Sequence, residues 1–215
     1  MQLFLVKKHT FISNDMCCYE DQINFMTEFK FKKAVQALNL FAQLEGNDIN
    51  YMKAVKLIYI ADKVHLRVYG RSITNDSYVA MKNGPVPSRT LDIIKKSNWH
   101  GPEPLDYSNT YLSDPMGHSI SSINEVDKTV FSKTDLKIMS DVYEKYGNLK
   151  EFEISEFTHT FPEWLKFKPE LTSNPKSRFP INTEDLFNSS NLNDDCFAQN
   201  DELLSLSKEH FQTGL

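Results

Sequence analysis

A long helical segment that runs into a glycine corner constrains the fold of this chain more than any other feature. Residues 49–68 carry the strongest helical periodicity in the sequence. Gly70 follows almost at once, and the chain continues RSITNDSYVAMKNGPVPS. Glycine permits a tight turn, whereas Pro85 and Pro87 fix the backbone dihedral. We therefore predict a long helix, a corner, a short segment that is either a strand or a first helical turn, and a rigid turn.

The predicted long helix has two faces of different character. One face collects four apolar positions at about 100° per residue, namely Val55, Ile58, Leu66 and Tyr69. Four basic residues fall within about 80° of one another on a different face, namely Lys53, Lys56, Lys63 and Arg67. Because Ile60 interrupts the basic face, we expect that face to be only partly solvated.

Asp62 places a carboxylate in the middle of the apolar stripe. A buried carboxylate needs hydrogen-bond donors or a cation. The nearest donors in sequence are the backbone and guanidinium of the Gly70-Arg71 corner, so we predict that Asp62 pins this corner. The alternative is a catalytic carboxylate, although no second acid, nucleophile or metal cluster accompanies it in the sequence.

Periodicity and capping signals predict further helices on both sides of this unit. One helix runs from about Lys32 and ends near Gly46. Another follows the proline-rich turn, with Ser88 as its N-cap and with Leu91 and Ile94 facing inward. These helices supply apolar faces that can cover the long helix.

The second half of the chain alternates between turn-rich and helical segments. Within residues 101–130 we predict a small antiparallel hairpin or meander built from LDYSNTYL and HSISSINEV. A helix capped by Ser132 comes next, and Pro162 interrupts or begins another. After Lys168 we predict a loop, a short helix capped by Thr183, and a final amphipathic segment, DELLSLSKEHF.

These elements define an α+β fold class dominated by helices, with a single domain of several packed helices and a small antiparallel β-sheet. We predict an N-terminal extension over residues 1–25, the domain over 26–167, and an acidic C-terminal segment over 168–215 that carries short helices and is partly docked on the domain. The extension is poorly patterned, and Met26 offers an alternative translation start.

The composition suits a domain with a substantial apolar core. Hydrophobic residues make up 40% of the 215 residues, and the mean hydropathy is -0.46. No apolar run approaches the roughly 18 residues that a membrane span needs. The opening MQLFLV is followed at once by two lysines, which is unlike a secretory signal. We expect a cytoplasmic protein.

Charge and cysteine usage narrow the function classes. Residues 1–100 contain 14 Lys and Arg against 9 Asp and Glu, whereas residues 101–215 contain 10 against 20. The chain lacks the strongly basic footprint of a nucleic-acid binder, so we expect no direct DNA binding. Either the charges of the two halves neutralise each other in the fold, or one half presents its charge to a protein partner.

We expect Cys17, Cys18 and Cys196 to be free thiols, since their spacing fits neither a disulfide framework nor a zinc site.

Signatures of catalysis are missing from the sequence. There is no P-loop and no dinucleotide-binding G-x-G-x-x-G, and Ser88 does not lie in a G-x-S-x-G elbow. The six histidines are scattered without metal-binding spacing. We therefore predict no cofactor, no metal and no enzymatic activity.

The unit around the corner, KAVKLIYIADKVHLRVYGRSITNDSYVAMKNGPVPS, carries a block of motif positions, namely Lys56, Leu57, Tyr59, Ala61, Asp62, Tyr69, Gly70, Arg71, Tyr78, Ala80, Gly84, Pro85 and Val86. This block resembles the signature block of a known family, the Panacea or SocA-like antitoxin domain. The later THTFPEWLK is similar to the family's His-x-x-Pro-x-Trp element, here His159, Pro162 and Trp164. FPINTEDLF resembles the family's ending, so the resemblance spans residues 30–190.

The resemblance implies an antitoxin that neutralises a cognate toxin by direct protein binding. It also implies a helical fold with a small antiparallel sheet. One branch of the family instead works as an adaptor that hands its toxin to the ClpXP protease. Members of the family are common on prophages and other mobile elements.

The resemblance also assigns roles to the motif residues. The two glycine turns become scaffold for a binding surface, and Trp164 and His159 are expected to be structural. Lys56 and Arg71 are the candidates for surface or pocket contacts, with pairing of Arg71 to Asp62 as the alternative. A third function class, an enzyme with a site around Asp62, Arg71 and His159, would require these three side chains to converge in an accessible pocket.

Overall fold

The computed structural model describes residues 28–97, 101–188 and 194–214. The predicted extension over residues 1–25, and with it Cys17 and Cys18, lies outside these ranges. The α-helices of the described residues are α1 Phe31–Leu44, α2 Tyr51–Tyr69, α3 Ser88–Ile94, α4 Pro102–Tyr111, α5 Lys133–Tyr146, α6 Glu151–Thr158, α7 Pro162–Leu165, α8 Lys168–Ser173 and α9 Asp201–Thr213. The strands are β1 Asp48–Asn50, β2 Tyr78–Met81, β3 Gly84–Pro87, β4 Ser119–Ser121 and β5 Phe179–Ile181. Two 3₁₀ helices, Lys128–Val130 and Thr183–Phe187, complete the fold.

Helices dominate this α+β fold, and the predicted fold class is confirmed. The strands form a two-stranded sheet of β1 and β4 and a three-stranded sheet in the order β3-β2-β5, with every pairing antiparallel. Within the described part of the chain, no helix has both the length and the apolar character that crossing a membrane requires.

Helix α2 lies at the centre of the fold. The side chain of Asn50 caps its first turn by accepting a hydrogen bond from the Met52 N–H at 2.9 Å. Gly70 ends it in the left-handed conformation, with φ 69°, and the Gly70 N–H bonds back to the Leu66 carbonyl. Helices α1, α5, α6 and α9 and strand β3 pack around it. All residues from Lys53 to Arg67 are therefore buried.

The prediction of a partly solvated basic face on this helix is wrong. Its four basic residues are at most 6% exposed, namely Lys53, Lys56, Lys63 and Arg67. The helical periodicity of α2 identified its apolar face as packed, but elements further along the chain also cover the face that carries the basic residues. Each cation is tolerated because it meets a carboxylate or carbonyl acceptor from one of those elements.

The segment over residues 101–130 differs most from expectation. LDYSNTYL lies in helix α4, not in a strand, with Pro102 in its first turn after Gly101 at φ 78°. One edge of α4 packs on α1 through Tyr107 and Phe31, whose rings lie 5.8 Å apart. HSISSINEV does supply a strand, β4, but its partner is β1, where Ile49 faces Ile120.

Two predicted caps are replaced by other residues, whereas a third is confirmed. Ser88 is the first residue of α3, and Asp76 accepts from the N–H groups of Arg89 and Thr90 at 2.9 and 2.8 Å instead. Asn182, not Thr183, caps the second 3₁₀ helix. Ser132 caps α5 in a capping box with Asp135. Pro162 begins α7, which resolves the alternative left open by the sequence.

The segment after Lys168 is more ordered than the predicted loop. It contains α8 and β5, and β5 pairs with the edge of β2 so that Pro180 faces Val79. Leu186, Phe187 and Phe197 are buried in the core. Helix α9 packs on α2, and the Cβ that Gly70 lacks would approach the Ser207 carbonyl to 2.6 Å. Glycine is required at this corner both for its dihedral and for this contact.

Candidate functional site

Asp62 pins the segment after the corner, not the corner itself. Its carboxylate accepts the N–H groups of Ile73 and Thr74 at 2.7 and 2.9 Å, the Thr74 hydroxyl, and the Tyr78 hydroxyl at 3.0 Å. Burial raises the pKa of Asp62, although these hydrogen bonds act in the opposite direction. Both oxygens of the Asp62 carboxylate therefore accept hydrogen bonds from the segment that leads into the β2–β3 hairpin.

Arg71 bonds to Asp135 rather than to Asp62. Its guanidinium lies 3.1 Å from one Asp135 oxygen, which His65 also approaches at 3.0 Å, and the Lys33 ammonium lies 2.5 Å from the other. Burial raises the pKa of Asp135, but the hydrogen bonds from His65, Lys33 and the Ser132 backbone outweigh burial and hold it well below its usual range. This cluster ties the corner to α1 and α5.

Glu163 and Lys63 form a sealed ion pair behind the hairpin. The Lys63 ammonium lies 2.7 and 2.8 Å from the two Glu163 oxygens, and the Tyr59 hydroxyl donates to one of them at 2.7 Å. Neither charged side chain has exposed surface. Burial lowers the pKa of Lys63 and raises that of Tyr59. The Lys63 ammonium also lies over the Phe161 ring, 4.8 Å from its centroid.

The β2–β3 hairpin is fastened to the helices at four points. Lys56 donates to the Pro85 carbonyl at 2.6 Å, Ser155 to the Asn83 carbonyl at 2.8 Å, and the Trp164 indole to the Met81 carbonyl at 2.8 Å. Gly84 makes the fourth contact, because a Cβ there would lie 2.6 Å from the Lys56 ammonium. These contacts fix the hairpin against α2, α6 and α7.

His159 and Trp164 extend this attachment. Their rings stack with centroids 4.0 Å apart, and the Trp164 side chain is buried. Desolvation lowers the pKa of His159. Lys56 is buried too, and burial lowers its pKa well below the usual value. His159 and Trp164 thus take part in packing contacts of the kind that a structural role requires. Lys56, for which a surface or pocket contact was predicted, is fully buried, and its ammonium bonds to the hairpin.

A cleft of about 530 Å³ opens where the hairpin meets the first turns of α2 and α6; we call it the hairpin cleft. Its apolar lining comes from Met52, Val55, Met81, Val86, Leu91 and Phe152. Its polar lining includes Lys82 and Lys95, which are exposed, and Glu151. Phe152 stands at this cleft with 68% of its surface exposed.

The three residues of the enzyme alternative do not share a site. Asp62 is sealed among Ile73, Thr74 and Tyr78, and Arg71 meets Asp135. His159 stacks on Trp164. The described residues also contain no group of three or more His, Cys, Asp or Glu side chains arranged to hold a metal ion. The convergence that this alternative requires is not observed.

Sequence reasoning missed the partners that make these clusters work. Asp135, Glu163 and Asp76 were not singled out, because each meets a residue far away in sequence; Lys63 and Glu163, for instance, are 100 residues apart. A signal did exist for Glu163, which occupies an unassigned position of the His-x-x-Pro-x-Trp element. For Asp76 the signal was an acidic residue shortly before a predicted helix. It lies 13 residues before Arg89, whose backbone N–H at the start of α3 donates to the Asp76 carboxylate.

A comparison with protein families identifies the domain. The family model described as antitoxin SocA-like, Panacea domain, matches residues 55–165, which run from the second turn of α2 to the end of α7. The chain belongs to this family, and the matched residues include every position of the site described above from Lys56 to Trp164. The match is narrower than the span of residues 30–190 expected from the motifs. No curated protein and no solved structure matches the chain.

Proposed function

We propose that this protein is the antitoxin of a toxin–antitoxin pair and neutralises its cognate toxin by direct binding in the cytoplasm. Family membership over residues 55–165 carries the proposal and supports a toxin–antitoxin role. The structure adds that the motif residues hold a hairpin in a defined position. Neutralisation by binding is favoured by a rigid surface, because such a surface loses little conformational entropy on binding, and it requires no catalytic group.

The test is to express the neighbouring open reading frame in cells with and without this protein. Growth arrest by the neighbour alone, relief on co-expression, and a stable complex on co-purification are the expected results. A harmless neighbour that does not co-purify contradicts the proposal. Expression of this protein alone controls for effects unrelated to the neighbour.

The adaptor mechanism is a separate outcome of the same experiment. A direct neutraliser leaves the toxin present and bound, whereas an adaptor for ClpXP lowers toxin abundance in cells with the protease and not in cells lacking it. Deleting the segment after Lys168 would not separate the two mechanisms. That deletion removes β5, Phe187 and Phe197 from the core and thereby damages the fold. Toxin abundance should therefore be compared with the full-length chain.

A further inference from the structure

We infer that the hairpin cleft is the surface that receives the toxin, and that its occupant is an apolar side chain of the toxin flanked by carboxylates. This inference rests on the proposed antitoxin function and assigns it a site and a partner chemistry. Three observations support it: the shape of the cleft, its charge, and the way its hairpin wall is held.

The shape and lining of the cleft suit an apolar anchor. Its volume of about 530 Å³ falls within the roughly 300–1,000 Å³ that is typical of ligand clefts in proteins. Val86 and Leu91 are buried in its floor, while Met52 and Met81 are partly exposed along it. Phe152 is 68% exposed at this cleft, and aromatic side chains are frequent anchors of protein interfaces. A partner side chain that entered the cleft would cover the Phe152 ring.

The charge of the cleft selects acidic neighbours for that anchor. Lys82 and Lys95 are exposed in its lining, and neither takes part in any ion pair among the described residues. Glu151 is the acidic residue of the lining. These two ammonium groups beside an apolar floor complement carboxylates that flank an apolar residue, and they would speed association at low ionic strength.

The hairpin wall is preorganised by buried polar contacts. The bonds from Lys56, Ser155 and Trp164 to three successive parts of the hairpin fix Met81 and Val86 before any partner arrives. A surface that is already ordered loses less conformational entropy on binding. Lys56 and Val86 of the family motif therefore line the cleft as part of its fixed wall, while the exposed contacts fall to Phe152, Lys82 and Lys95.

The test measures affinity for the purified product of the neighbouring gene by calorimetry or biolayer interferometry. Phe152→Ala should weaken binding about tenfold or more, as expected for an aromatic anchor. The double variant Lys82→Glu/Lys95→Glu should slow association and should reduce its dependence on salt. All three residues are exposed, so unchanged melting temperatures should accompany both effects.

Matched controls lie on α9, outside the cleft. Leu203→Ala removes an apolar side chain that is 58% exposed, and Lys208→Glu reverses an exposed cation. Both should bind like the unmodified protein. If the unmodified protein binds its neighbour and the cleft variants bind equally well, the inference is wrong while the antitoxin function stands. If the unmodified protein binds nothing, the proposed function itself fails.

A second copy of this chain is the competing occupant. Size-exclusion chromatography with light scattering over a range of concentrations distinguishes it. We expect the same monomeric mass for the unmodified protein and for Phe152→Ala. A dimer that Phe152→Ala dissociates would show that the cleft pairs two copies, and it would overturn the inference.

Discussion

The Lys63 ammonium and the Glu163 carboxylate meet at 2.7 and 2.8 Å where neither side chain reaches solvent. The pair joins the centre of α2 to α7, so it connects the two ends of the matched family span. A buried pair of this kind contributes less to net stability than its distances suggest, because both ions lose their hydration. Its effect on stability therefore becomes visible when one partner is removed.

Removal of either partner should destabilise the fold strongly. Lys63→Met or Glu163→Gln leaves the remaining group buried without its counterpart, at a cost of about 3–5 kcal/mol in the free energy of unfolding. Urea denaturation followed by circular dichroism measures this cost. The double variant should lose less than the sum of the two single losses, because the two residues share one interaction.

The exposed pair formed by Lys137 and Asp141 supplies the control for this measurement. These residues lie four apart on α5, with an N–O distance of 2.6 Å. Lys137→Met should leave the urea midpoint almost unchanged, since an exposed pair is screened by solvent. A Glu163→Gln variant as stable as the unmodified protein would show that the sealed pair does not carry the role assigned to it.

Gly84→Ala should destabilise the hairpin through both strain and overlap. Gly84 has φ 98°, and an added Cβ would lie 2.6 Å from the Lys56 ammonium and 2.7 Å from the Thr158 hydroxyl. Gly117→Ala is the matched control, because Gly117 has φ 61° with no atom within 4 Å of the added Cβ. We expect Gly117→Ala to cost about 1 kcal/mol of strain alone. Gly84→Ala should cost clearly more by urea denaturation, and equal costs would contradict the tight contact.

Asp76 should make stability fall as the pH rises from about 4 to 6. Burial raises the pKa of this carboxyl to about 6 in the folded state, above its usual value of 3.8. Between these values the folded protein binds a proton that the unfolded chain has released, so stability declines with increasing pH by roughly 3 kcal/mol at most. Asp76→Asn removes this contribution. The difference in unfolding free energy between the two proteins should change across this range and stay constant from pH 7 to 8.

Arg67 should hold the C-terminal segment in place. Its guanidinium donates to the carbonyls of Phe187 and Phe197 and to the Gln199 side chain. Arg67→Lys keeps the charge but cannot form the three-way contact, because lysine lacks the planar fork. We expect faster amide hydrogen exchange in α9 and unchanged exchange in α5. Equal protection of α9 in both proteins would show that the apolar contacts of Phe187 and Phe197 suffice.

Local signals were enough to predict much of this fold. The long helix, its glycine end, the proline-rich turn and the cap at Ser132 all depend on residues within one or two turns. The segment before the proline-rich turn was left open between a strand and a helical turn, and it forms β2. The prediction for Asp62 was partly correct, because it too was based on local signals. Burial and the need for donors followed from its place in the stripe, but the donors turned out to belong to Ile73 and Thr74.

What the sequence did not show depends on long-range packing. Helical periodicity identifies an apolar face but does not count the elements that will surround a helix. The burial of Lys53, Lys56, Lys63 and Arg67 was therefore not predictable from α2 alone. LDYSNTYL was assigned to a strand because its tyrosines and threonine favour one, and the packing of Tyr107 on α1 outweighs that propensity. The hairpin cleft depends on α2, α6 and the hairpin together.

The late position of β5 and α9 in the chain has a consequence for biosynthesis. Until β5 has been synthesised, β2 presents an unpaired strand edge, and until Phe197 follows, Arg67 lacks carbonyl acceptors that it uses in the finished core. A nascent chain that already carries the whole family-matched span would thus expose an edge prone to aggregation. A chain whose translation stops before β5 should therefore aggregate more readily than one that includes β5 and Phe197.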